Sequence, residues 1–214
     1  MALGMEITSQ DALVVVDVQN DFCPGGALAV PDGNAVIPVI HRIASRFEHI
    51  LLTQDWHPPG HCSFASAYPE GRTAEGVGRD GPLWPDHCVQ GTHGAGFHPA
   101  LGLTRAELVL RKGFRRELDS YSAFFENDRV TPTGLTGYCR ERGLRRMFFA
   151  GLAYDFCVGF SAVDARRCGF EAVVIRDACR AIDVNGSVRA MEAEFAREAV
   201  VVREAVVVME SGGL

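Results

Sequence analysis

Three ionisable side chains stand where predicted strands run out. Asp17 follows Ala12-Leu13-Val14-Val15-Val16, Lys112 follows Leu108-Val109-Leu110-Arg111, and Cys157 follows Gly151-Leu152-Ala153-Tyr154-Asp155-Phe156. A thiol reacts as its thiolate, and a helix N-terminus or a nearby ammonium lowers its pKa. A carboxylate within reach can take the thiol proton. A lysine can hold that carboxylate, and backbone N–H groups of a turn at 151–157 could receive an oxyanion. The plain alternative is a core cysteine and an ion pair that merely ends two strands.

A second set lies in the long segment 55–105, rich in Gly, Pro and His. Asp55-Trp56-His57 places two polar residues one apart, so in extended backbone both point the same way. His61 is four residues on, and His87 sits in Trp84-Pro85-Asp86-His87-Cys88. One carboxylate with two or three imidazoles suits Zn, Fe or Mn as a divalent ion. The alternative is a polar loop of hydrogen-bonding histidines. His93 and His98 are read as structural. Cys62 and Cys88, adjacent to candidate ligands, are expected to point away.

Elements must bring these groups together. The unalternated run at 12–17 reads as a strand buried on both faces, as in a parallel sheet. Further strands are expected at 49–53, 107–111, 146–151 and 171–175, with helices at 34–47, 135–142, 156–168 and 187–197 and an apolar tail at 199–208. The alternation implies an α/β fold, a parallel sheet with helices on both faces. The carboxyl ends of such strands form a ligand crevice. Residues 1–214 read as one domain carrying a loop insertion over about 55–105.

Composition agrees: of 214 residues, 47% are hydrophobic and 22% charged, which excludes a disordered or fibrous chain. The net charge of −6 argues against nucleic acid or an anionic membrane as partner. Seven cysteines in an odd count, without a C-x-x-C, suggest neither a disulfide framework nor a thiolate zinc ribbon. No apolar run reaches the length of a membrane helix and no signal segment is evident, so a cytoplasmic protein is expected. The sequence is compatible with a monomer or a homo-oligomer.

Val16-Asp17-Val18-Gln19-Asn20-Asp21-Phe22-Cys23-Pro24-Gly25-Gly26 resembles the N-terminal signature of the nicotinamidases (pyrazinamidases), within the isochorismatase-like cysteine hydrolases. Thr53-Gln54-Asp55-Trp56-His57-Pro58 resembles their metal motif. Trp84 to Thr92 resembles the segment with a further ligand, Lys112-Gly113 with Asp119 to Phe124 the lysine segment, and Gly151 to Val158 the nucleophile turn. These blocks occur in family order over about 12–180.

The resemblance implies an isochorismatase-like three-layer α/β/α fold and a catalytic triad of Asp17, Lys112 and Cys157. It implies an oxyanion hole at the N–H groups of Ala153 and Cys157, with a cis bond before Ala153. It implies metal ligands Asp55, His57 and His87, with His61 a fourth that only some members use. It implies one divalent ion, zinc first and iron or manganese next, and pocket walls at Phe22, Trp84 and Tyr121. The activity implied is hydrolysis of nicotinamide to nicotinate and ammonia through a thioester, within NAD salvage, with pyrazinamide as a further substrate. The pyridine nitrogen would meet the ion, which either positions the ring or activates water. Isochorismatases and carbamoyl-amide hydrolases are the sibling alternatives, against which Asp55-Trp56-His57 speaks. A silent metal-binding sensor is a third, against which the complete triad speaks.

Overall fold

A computed structural model of the protein describes residues 4–68 and 82–209. Six parallel strands form one sheet in the order β3-β2-β1-β4-β5-β6. They are β1 (Asp11–Val16), β2 (His49–Asp55), β3 (Leu108–Lys112), β4 (Arg146–Leu152), β5 (Glu171–Arg180) and β6 (Val201–Arg203). β1 is central and every residue in it is buried, which is why its sequence lacks alternation.

The helices are α1 (Val36–Ala44), α2 (Leu135–Glu141), α3 (Gly159–Arg167), α4 (Ser187–Arg197) and α5 (Val206–Met209). From β1 the chain walks outward to β3, then crosses back and walks from β4 to β6. Right-handed crossovers in opposite directions put helices on opposite faces. Accordingly α1 packs with α5, and α3 with α4, while Thr136 and Arg140 of α2 bond to Cys168 at the end of α3.

The reversal falls between β1 and β4, and their carboxyl ends there open the crevice where ligands bind in such sheets. Register aligns the chemistry: Val16 pairs with Gly151, and Asp55 with Lys112. At the other end Arg146 clamps Asp11 through Nε to Oδ1 (2.7 Å) and Nη2 to Oδ2 (2.8 Å), tying the feet of β4 and β1.

Three elements differ from expectation. β5 continues five residues past Ile175, because after a register shift in β4 the ladder resumes at Gly151–Cys179 and Leu152–Arg180. The helix expected from 156 begins at Gly159, after a π-helical turn at Tyr154–Val158. The apolar tail divides into β6 and α5. Between β2 and β3 the described residues hold no α-helix or ladder strand, only 3-10 turns at Ala65–Ala67 and Pro99–Leu101 and isolated bridges such as His57 to Val89 and Phe64 to Trp84. The rest of that insertion, 69–81, lies outside the described residues. All seven cysteines are free thiols. Among the described residues no helix is long and apolar enough to cross a membrane.

Candidate active site

Asp17 lies one residue past β1 with left-handed backbone, φ 48°, which Asp tolerates better than most residues. Thr53 on β2 holds it twice. The hydroxyl donates to Oδ1 at 2.6 Å and accepts from the Asp17 N–H at 3.2 Å. Asp17 Oδ2 lies 2.9 Å from Lys112 Nζ but receives no aligned hydrogen bond among the described residues, which leaves it an acceptor for an incoming proton.

Lys112 is wholly buried. Its ammonium also donates to Asp55 Oδ1 and to the Ser120 carbonyl at 3.1 Å, and lies 3.3 Å from Cys157 Sγ. Carboxylate oxygens of Asp17 and Asp55 and the Cys157 sulfur lie within 4.8 Å of one another. Three strand ends and the π-helical turn after β4 thus deliver one ammonium, two carboxylates and one thiol to a single point.

The two carboxylates are driven apart. Burial raises Asp17, and the Asp55 charge adds to this against the pull of Lys112. Burial would also raise Asp55, but Lys112, His57 and His87 together hold it well below the usual carboxylate range. Such divergence separates a proton carrier from a fixed anion. Lys112 stays charged, because Asp17 and Asp55 outweigh the cost of burial. The Cys157 thiol is not lowered as its sequence position suggested. Burial, with the two carboxylates, pushes it well above its ordinary value despite the ammonium beside it. These surroundings favour the protonated sulfur.

A nitrogen of His57, a nitrogen of His87 and an oxygen of Asp55 also fall within 4.8 Å of one another. His57 Nδ1–H donates to the Gly113 carbonyl at 2.8 Å and His87 Nδ1–H to the Pro85 carbonyl at 2.7 Å. Each Nε2 lone pair is thereby freed, the arrangement by which outer partners orient ligating imidazoles. The donor set fits a divalent ion. His87 is lowered to about 4 by burial and by the His57 charge, so at neutral pH it presents that lone pair unprotonated. Burial also pulls His57 down, but Asp55 foremost, with Asp119 and Gly113, brings it up overall.

His61 stands differently. Its ring stacks on His57 at 4.2 Å, and it groups with His57 and Asp119 rather than with Asp55 and His87. The Ser63 N–H donates to its Nδ1 at 3.2 Å, so Nε2–H faces the Leu118 carbonyl at 3.3 Å. His93 and His98 lie apart, contacting Asn20 and capping Pro99–Leu101. Gly113, with φ 63°, has no room for a side chain: a Cβ would lie 2.6 Å from His57 Nδ1. Gly113→Ala should therefore cost about 1–2 kcal/mol in backbone strain and turn the His57 ring. The check is thermal unfolding together with metal content, both of which should fall.

A cavity, partly open to solvent, opens on this cluster. Phe22, Trp84 and Tyr121 line it, as do Ala153 and Cys157, and the bond between Leu152 and Ala153 is cis. Trp84 Nε1–H donates to the Tyr121 hydroxyl at 3.0 Å. Sequence reasoning missed two aromatic partners. Phe156 packs edge-on against Trp84 at 5.1 Å and against Tyr121 at 5.4 Å. Phe64 sets its ring against His57, His61 and His87. It missed Asp119 as a candidate ligand as well. Gln19, whose side chain donates to the Asp55 carbonyl and accepts from the Asp55 N–H, also went unnoticed.

Residues 11–205 match the isochorismatase domain family. The nicotinamidase of Acinetobacter baylyi is 50% identical over 192 residues, 88% of this chain and 90% of that protein. The structure of PnC1 from L. infantum, in complex with nicotinate, is 39% identical with a TM-score of 0.85, covering 96% of this chain and 98% of that one. The pyrazinamidase of Pyrococcus horikoshii in complex with zinc is 33% identical with a TM-score of 0.74, covering 91% and 99%.

Proposed function

The chain belongs to the isochorismatase domain family, and we propose that within it the protein is a nicotinamidase, hydrolysing nicotinamide to nicotinate and ammonia and accepting pyrazinamide as well. The carrying observation is the buried meeting of Asp17, Lys112 and Cys157 beside the Asp55–His57–His87 donors at an aromatic-walled cavity. The relatives named nicotinamidase support the reading.

Phe22, Trp84 and Tyr121 sandwich the flat ring and exclude water from it. Asp17 Oδ2 takes the proton of Cys157 as sulfur attacks the carboxamide carbon. The oxyanion meets the N–H groups of Ala153 and Cys157. Asp17 returns the proton to the departing ammonia, leaving a nicotinoyl thioester on Cys157. Water then enters, Asp17 takes its proton as the oxygen attacks the thioester carbon, the C–S bond breaks to release nicotinate, and Asp17 returns the proton to the Cys157 sulfur. Lys112 keeps Asp17 in place and offsets the negative charge passed between carboxylate and sulfur. Asp55, His57 and His87 would hold a divalent ion, zinc before iron or manganese, with His61 as a fourth candidate if its Nε2–H gives up the Leu118 carbonyl. Bound there, that ion would supply a Lewis acid for the pyridine nitrogen. Such an activity belongs to NAD salvage, and a cytoplasmic location suits it.

The test is ammonia release from nicotinamide by the metal-replete protein before and after chelation, with metal analysis of each sample. We expect one ion per chain and turnover that falls on its removal and returns with zinc. His87→Ala should lower metal content and kcat/KM together. Turnover unchanged in metal-free protein would remove the ion from the proposal. No ammonia from the replete protein would overturn the activity itself.

A further inference from the structure

Asp155 stands two residues before Cys157 and takes no part in the chemistry above. It is buried, 2% exposed, and its carboxylate is committed to the chain that follows β5. Oδ1 accepts from the Ile182 N–H at 3.1 Å. Oδ2 accepts from the Asp183 N–H at 2.8 Å and from the hydroxyl of Ser187, the first residue of α4, at 2.5 Å. The segment it holds contains two left-handed non-glycine residues, Asp183 (φ 55°) and Asn185 (φ 52°). Such conformations persist only where their surroundings over-determine them.

Both ends of this tie reach the cavity: Cys157 and Phe156 from the turn, and Ile182 from the segment. The rest of the turn is docked on α4. Tyr154 meets Phe195 edge-on at 5.6 Å and its hydroxyl donates to Glu192 at 3.4 Å. Gly159 lies so close to Met191 that a Cβ there would come within 2.6 Å of its Cγ. Apolar docking of this kind resists separation but permits sliding. Three hydrogen bonds accepted by one buried carboxylate fix the register.

We propose that Asp155 is a positioning residue, a latch that locks the turn bearing Cys157 to the 182–187 segment and so sets the sulfur and the Ile182 wall at a fixed distance across the bound ring. This rests on the reading of Cys157 as nucleophile. The latch touches neither the sulfur nor the ring, so it acts through geometry, and a shift of about 1 Å in a nucleophile costs about 100-fold in rate.

Two variants test it. Asp155→Asn keeps the size but turns an amide NH2 toward backbone donors. Ser187→Ala removes one of the three bonds and leaves the turn untouched. Each is assayed for kcat and KM on nicotinamide, normalised to folded protein, and for the second-order rate at which iodoacetamide labels Cys157, read by peptide mass. We expect Asp155→Asn to lower kcat at least about 10-fold with KM within about 3-fold, and to shift the labelling rate by about 3-fold or more. Ser187→Ala should move the same quantities in the same direction by a smaller factor. A purely structural role would lower the unfolding temperature yet leave kcat, KM and labelling of the folded fraction at parent values, and that result overturns the latch. If Asp155→Asn does not fold, Ser187→Ala decides alone, with parental kcat and labelling counting against the latch. If the parent protein releases no ammonia, the functional reading fails, while the labelling comparison still decides the latch.

Discussion

Replacing Cys157 by alanine should abolish ammonia release from nicotinamide, with kcat down by about 10⁴-fold or more. The sulfur lines the cavity as the proposed nucleophile for the carboxamide carbon, and Asp17 Oδ2 stands ready for its proton. The substitution removes a buried sulfur and its contact with Lys112 but leaves the Lys112 pairs with Asp17 and Asp55 intact. The fold and the ring pocket should therefore survive, and nicotinate should still bind. The measurement is steady-state ammonia release beside calorimetric titration with nicotinate. Turnover within tenfold of the parent would sink the thioester route.

Lys112→Met should be the most damaging single change for stability. Its ammonium is the buried cation between Asp17 and Asp55. Without it two buried carboxylates face each other. Breaking a buried ion pair by deleting one partner costs about 3–5 kcal/mol, and turnover should be lost with it. Denaturant unfolding followed by activity assay reads both. The pH sign follows from Asp17, already raised by burial. Without Lys112 its folded pKa rises further above the unfolded value. The folded state then binds more protons than the unfolded one across that interval, so the variant loses stability as pH rises and regains it on acidification. Lys112→Met combined with Asp17→Asn should recover much of the stability and none of the activity. A double variant no more stable than the single one would mean that charge repulsion is not the cause.

These groups were legible in the sequence because each sits at or just past the end of a strand that can be read from composition. Unalternated apolar runs such as Ala12 to Val16 mark central parallel strands, and a polar residue ending such a run lands in the crevice. That logic reaches Asp17 and Asp55; Lys112 ends the edge strand β3, where Val109 is exposed, and only its place at a strand end marked it, while the resemblance supplied the rest of the order. It could not reach Phe64 or Phe156, two of 13 phenylalanines whose neighbours are distant in the chain. Thr53 looked like one more strand residue, although its hydroxyl orients Asp17. The end of β5 was hidden because Arg176 and Asp177 interrupt its apolar run while the ladder to β4 continues. The Cys157 thiol misled in sign: a turn before a helix suggests a lowered pKa, but full desolvation outweighs a neighbouring ammonium.

Lys112, wholly buried between two acids, is also the only lysine among the 214 residues; every other basic side chain of the Lys and Arg set is arginine. The folded molecule therefore offers no lysine amine to acylating reagents, to carbonyl adducts or to a lysine-specific protease. Any such label or cut at Lys112 records a molecule that has opened its centre. The residue that organises the charge of the site doubles as a built-in footprint of its unfolding.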